Sequence, residues 1–136
     1  MNLPILTANV LKLVIFAGHT FMGDKDLKVI EPENIDRDFN NKLEKWIHAR
    51  AHLHIVSMGF LLATIGLTLI NFTDWLPHED LILKILSVYF LACSMGFLIS
   101  VIISKEFPQK YLKLYQWILL LIICGLIYWG ASFTNA

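Results

Sequence analysis

Cysteine and charge are both scarce in this sequence, and each scarcity removes a class of function. The two cysteines, Cys93 and Cys124, sit in the middle of different apolar runs, and no C-x-x-C motif exists. That excludes the usual dithiol redox site. A buried thiol of this kind behaves as a small apolar side chain, with soft-metal ligation as the alternative. Charged residues make up 16% of the chain, against about 25% in a soluble domain. The formal net charge is zero and no run of like charges occurs, so nothing points to nucleic acid. Pro-rich, Gly/Ser-rich and repeated segments are missing, as is any motif for acyl or phosphoryl transfer. No acidic residue falls inside an apolar run. A proton-coupled exporter of cationic drugs would need one there.

What the chain has in excess is apolar surface. Of its 136 residues, 57% are hydrophobic, and the mean hydropathy is +0.62. One short domain cannot hide that much inside a soluble core, whereas lipid can cover it. A hydrocarbon layer about 30 Å thick takes roughly 20 helical residues, and four stretches qualify: 3–22, 51–72, 81–104 and 114–133. The expected fold is therefore an all-α membrane protein, a bundle of four transmembrane helices forming one integral domain over 1–136. Pro4 fits a first helical turn and Gly23 stands where the first helix should end. Lys42 to Arg50 reads as a helical extension of the second span, and Pro108 marks the break after the third. Tyr111, Tyr115, Trp117, Tyr128 and Trp129 suit the two headgroup belts. No basic residue precedes Lys12 and no A-x-A site follows the first stretch, so it is expected to be a retained helix rather than a signal peptide.

The basic residues predict an orientation. The first loop carries six lysines and arginines and the third loop three, against Lys84 alone on the opposite side. By the positive-inside rule both loops face the cytoplasm and both termini lie outside it. The first loop, from Asp24 to Asn41, is the one sizeable polar segment. It reads as a connector lying against the membrane surface, or as a binding loop for a partner protein.

Helices in lipid associate through close packing of small residues. Ala92, Gly96, Ser100 and Ser104 form one small-residue stripe at steps of four. Gly59, Ala63 and Gly66 form another. These are expected seams, within one chain or between two.

Four of the five histidines gather near one end of the first two spans, while His78 lies in the short outer loop. At about 1.5 Å of rise per residue, His19 lies roughly 6 Å inside Gly23 and His54 about as far inside Arg50. His48 and His52 share the face of Gly59, Ala63 and Gly66, whereas His54 points nearly opposite, along the side of Arg50, Ser57 and Thr68. The candidate metal ligands are thus His19 with His54, or His19 with His48 and His52, either set aided by Asp24 or Asp26. The alternatives are an interfacial polar network and acid–base chemistry. Lys12, seven residues before His19 and on the same face, lies near the middle of its span. An intramembrane ionisable group is a functional hypothesis by default, set against a lysine that snorkels to the outer surface or stays neutral.

The stretch Ala17-Gly18-His19-Thr20-Phe21-Met22-Gly23-Asp24, followed by Arg50-Ala51-His52-Leu53-His54-Ile55-Val56-Ser57, resembles a group of small four-span bacterial membrane proteins. Those carry H-S-x-x-G-E at the end of the first helix and R-x-x-W-H near the start of the second. Residue by residue the pattern falls on His19, Gly23, Asp24, Arg50 and His54, with Thr20 for Ser, Asp24 for Glu and Leu53 for Trp. The resemblance covers the first half of the chain, favours His54 over His52 as the partner of His19, and implies no activity; the expected location is a bacterial inner membrane.

Two functions remain. One is a non-enzymatic accessory or scaffold protein whose helices meet the lipid bilayer and another membrane protein, or a second copy of the chain. The other is a redox or transport protein that binds a transition metal or haem through the cytoplasmic-side histidines.

Overall fold

The computed structural model describes residues 1–35, 37–106 and 109–134, the side chain of residue 134 excepted. The break expected at Pro108 lies outside those residues. The described chain is all-α. Helix α1 spans Leu3–Ala17, a π-helical turn follows over Gly18–Met22, and α2 covers Gly23–Val29. Then come α3 (Phe39–Phe72), α4 (Glu79–Ile103), the single turn α5 (Lys110–Lys113) and α6 (Gln116–Thr134). Four of these stretches are long and apolar enough to cross a membrane: Leu3–Val29, Phe39–Phe72, Glu79–Ile103 and Gln116–Phe133.

The first boundary differs from the sequence expectation. Gly23 does not end its helix: it keeps helical angles (φ −62°, ψ −42°), and its N–H donates to the carbonyls of His19 and Thr20. The chain leaves helical geometry only at Ile30 (φ −103°, ψ 15°). A glycine stops a helix by adopting a left-handed conformation; where it stays right-handed the helix runs on. The extension of the second span back to Phe39 agrees with the reading of Lys42 to Arg50 as helix. The only described residues with positive φ, His78 (57°) and Gln109 (61°), immediately precede α4 and α5.

The chain divides into two compact units, residues 1–11 with 66–136 and residues 12–65. In the first, α4 and α6 run antiparallel. Leu83, Ser87, Phe90, Ser94 and Val101 are the buried residues of α4, and Leu120, Ile123, Ile127 and Ala131 those of α6. The repeated steps of three and four keep one stripe facing a neighbour. Ser87 Oγ donates to the Cys124 carbonyl at 3.3 Å and Ser94 Oγ to the Trp117 carbonyl at 2.7 Å. Such hydroxyls let two backbones approach closely while leaving no polar atom to lipid.

This seam is not the one expected from the small-residue stripe. Ala92, Gly96 and Ser100 are exposed, and a Cβ added at Gly96 would meet nothing within 4 Å. At about 100° per residue, Gly96 lies roughly 160° around the helix from Ser94. The stripe faces away from α6 because the bulky stripe through Leu83 and Phe90 buries more surface. On α3, Ala63 is buried while a Cβ at Gly66 would also stand in open space.

The same unit holds the start of α1. Ile5 and Ala8 are fully buried. Asn9 Nδ2 donates to Thr68 Oγ1 at 2.8 Å, Asn2 N–H to Asn71 Oδ1 at 2.6 Å, and Asn2 Nδ2 to the Gly130 carbonyl at 2.8 Å. Beyond α4, Lys110 is 1% exposed, and its Nζ reaches the carbonyls of Ser104 at 3.2 Å and Ile102 at 3.4 Å and the Glu106 carboxylate at 2.7 Å. A cation there complements the negative end of the α4 dipole.

Candidate functional site

The polar residues singled out in the sequence sit in the second unit, where the π-turn and α2 face the first half of α3. On α3 the inward face is set by Leu53, Ser57 and Phe60, all buried and spaced by four and three, with Trp46 and Arg50 continuing the stripe toward the polar end. Opposite them lie His19, Thr20, Gly23, Asp24 and Leu27. The π-turn carries one more residue per hydrogen-bonded ring than α-helix, and such turns recur at functional sites. Here it presents His19 and Thr20 side by side to α3.

Each contact is specific. The His19 ring meets the Phe60 ring edge-on, centroids 5.8 Å apart and planes at 66°. Thr20 Oγ1 donates to Ser57 Oγ at 2.9 Å, and Ser57 Oγ donates in turn to the Leu53 carbonyl at 2.8 Å. At Gly23 the helices come so close that a Cβ would sit 2.7 Å from Leu53 Cδ1, so glycine is present for proximity rather than for a turn. Toward the polar end, Asp24 Oδ1 accepts from Arg50 Nε at 3.1 Å and Nη2 at 3.0 Å, while Oδ2 pairs with Lys28 at 3.4 Å. Arg50 also lies 5.2 Å over the Trp46 ring. Trp46 Nε1 donates to the Leu27 carbonyl at 2.7 Å, satisfying one of the last carbonyls of α2.

The candidate ligands take different places. His19 faces Phe60, and its Nε2 is buried without a hydrogen bond. His48, His52 and His54 are exposed, and His52 Nδ1 lies 2.7 Å from the His48 carbonyl. Because Leu53 points inward, its neighbours His52 and His54 fall about 100° to either side, on opposite shoulders of α3. Asp24 is engaged by Arg50 and Lys28. Among the described residues no three histidine, cysteine, aspartate or glutamate side chains come close enough to share a metal ion. The Lys12 side chain is fully buried. The loop after α2 borders an open cleft of about 910 Å³ where Ile30 and Ile35 stand beside Arg37, Lys42 and Lys45.

From the sequence, Trp46 had no role, Thr20 and Leu53 counted only as motif positions and Ser57 only as a marker of the His54 side, and Thr20 was not paired with Ser57. The stripe Trp46, Arg50, Leu53, Ser57, Phe60 is a heptad pattern, legible in principle, but the histidines drew attention to its shoulders.

The fold and this interface define a multi-pass membrane protein whose intrachain helix contacts are rich in polar bonds. No protein-family model matches the chain, and neither a curated protein nor a solved structure does.

Proposed function

We propose that the chain is a non-enzymatic accessory protein of the bacterial inner membrane, a four-span scaffold that offers its outer helix faces to another membrane protein. The observation that carries this reading is the use made of its polar side chains. Thr20, Ser57, Asp24, Arg50 and Trp46 are committed to helix-to-helix bonds, which is how polar groups hold apolar helices together in lipid. The outward stripe of Ala92, Gly96 and Ser100 and the open cleft beside α3 supply contact surfaces. The resemblance of the His19–Asp24 and Arg50–Ser57 segments to small four-span bacterial membrane proteins accords with this assignment. On the distribution of lysines and arginines, both termini lie outside the cytoplasm.

One observation favours the alternative, a metal- or haem-binding protein: the buried, unpartnered Nε2 of His19. The two readings separate on protein purified in mild detergent. The accessory reading expects no Soret band, less than one metal ion per chain, and a membrane protein crosslinked through a cysteine placed at Gly96. A Soret band, or one metal per chain that is lost in His19→Ala, overturns it. For orientation, a reporter active only outside the cytoplasm should work when fused after Ala136 and be silent near Asn34; the reverse pattern refutes the topology.

A further inference from the structure

At the end of the first unit where α1 begins and α3 and α6 finish, a cleft of about 610 Å³ opens between them. Its walls combine apolar side chains, Leu3, Ile70, Phe72 and Phe133 among them, with the polar side chains of Asn2, Asn71, Thr73 and Asp74. Asn71 is nine-tenths buried, at 9% exposure. Its Oδ1 accepts the Asn2 N–H at 2.6 Å. That bond fixes which way the amide points, because an N–H cannot donate to an amide nitrogen. Nδ2 is then left buried with no acceptor among the described residues. An unsatisfied buried donor is costly, so a group from outside the chain that brings an acceptor is favoured there.

Asp74 narrows the chemistry. It lies three residues beyond Asn71, just past the end of α3, and is exposed on the rim. A carboxylate there repels a simple anion and attracts a cation. The ligand that fits carries an acceptor oxygen for Asn71 and, a few ångströms outward, an ammonium for Asp74, with an apolar part for the walls. The place is also suited to lipid: membrane-length helices end here, and Trp75 beside the cleft is 79% exposed, as aromatics at headgroup level are. The volume suits a head group with its glycerol rather than a whole lipid, being of drug-sized pocket dimensions.

We propose that this cleft binds the interfacial part of an aminophospholipid. A phosphate or ester oxygen accepts from Asn71 Nδ2, the primary ammonium donates to Asp74, and the upper acyl chain lies along Ile70 and Phe133. The test is native mass spectrometry of the full chain in detergent, titrated separately with phosphatidylethanolamine and phosphatidylglycerol. The wild-type protein should prefer phosphatidylethanolamine roughly two- to fivefold, the range of an exposed ion pair. Asp74→Asn, on an exposed side chain, should erase that preference while keeping phosphatidylglycerol binding. Asn71→Asp preserves the acceptor for the Asn2 N–H but removes the donor, and should weaken both lipids roughly tenfold. Absence of bound lipid, equal affinity for the two lipids, or a preference unchanged in Asp74→Asn overturns the proposal. Full affinity in Asn71→Asp also overturns it, and if that variant fails to fold the Asp74→Asn comparison decides alone.

Discussion

A methyl group at Gly130 has nowhere to go. An ideal Cβ there lies 2.5 Å from Ile5 Cγ1 and 3.2 Å from both Ile5 Cδ1 and Asn2 Oδ1, where carbon atoms prefer roughly 3.5–4.0 Å. Ile5 is fully buried, and as a β-branched residue in a helix it has essentially one χ1 rotamer. It cannot swing aside. Gly130→Ala therefore forces α6 away from α1 by about 1 Å or drives Ile5 off its rotamer, a kind of overpacking that costs about 1–3 kcal/mol. The Asn2 Nδ2 bond to the Gly130 carbonyl, 2.8 Å long, is stretched by the same movement. Against this stands the higher helix propensity of alanine, about 0.8–1.0 kcal/mol over glycine. Gly96 supplies the control, since it is helical, exposed and meets nothing within 4 Å. Gly96→Ala should show the propensity gain alone, and Gly130→Ala should unfold below it by about 1–3 kcal/mol. Thermal unfolding followed by circular dichroism in one detergent measures both. Equal stabilities would refute the close approach of α6 and α1.

The other predictions concern polar contacts. A double-mutant cycle on Thr20→Ala and Ser57→Ala should give a coupling of about 0.6 kcal/mol, the average for interhelical bonds in a membrane; strict additivity would remove that bond. His19→Ala should couple to Phe60→Ala and be additive with His54→Ala, whereas the opposite result would restore the paired-histidine arrangement. Lys110→Met strips the carbonyls of Ile102 and Ser104 of their cationic donor and should destabilise by about 1–3 kcal/mol, with Lys110→Arg milder; indifference to Lys110→Met would mean the cation contributes nothing at the end of α4.

Much of this architecture could be read without coordinates, and the part that could not has a common cause. Hydropathy adds up along the chain, and each residue of a span needs lipid or protein cover whatever its neighbours do. The existence of four membrane-length helices and the helical extension from Lys42 to Arg50 are properties of that local kind. Facing is different, because it depends on how two helices are rotated against one another. The stripe of Ala92, Gly96 and Ser100 had every local mark of a seam, yet Leu83, Ser87, Phe90 and Ser94 took the place against α6. Gly23 looked like a stop, but its role is set by Leu53, thirty positions away in sequence. The sequence put four histidines near one end of the first two spans, but among the described residues they do not gather into one site. Their azimuths followed from the rotation that put Leu53 inward, which left His52 and His54 on opposite shoulders and turned His19 to Phe60. The full burial of the Lys12 side chain likewise has no local cause in the sequence. A pairwise choice of faces, made where both helices were already apolar enough to bury several of their sides, is not encoded in either helix alone.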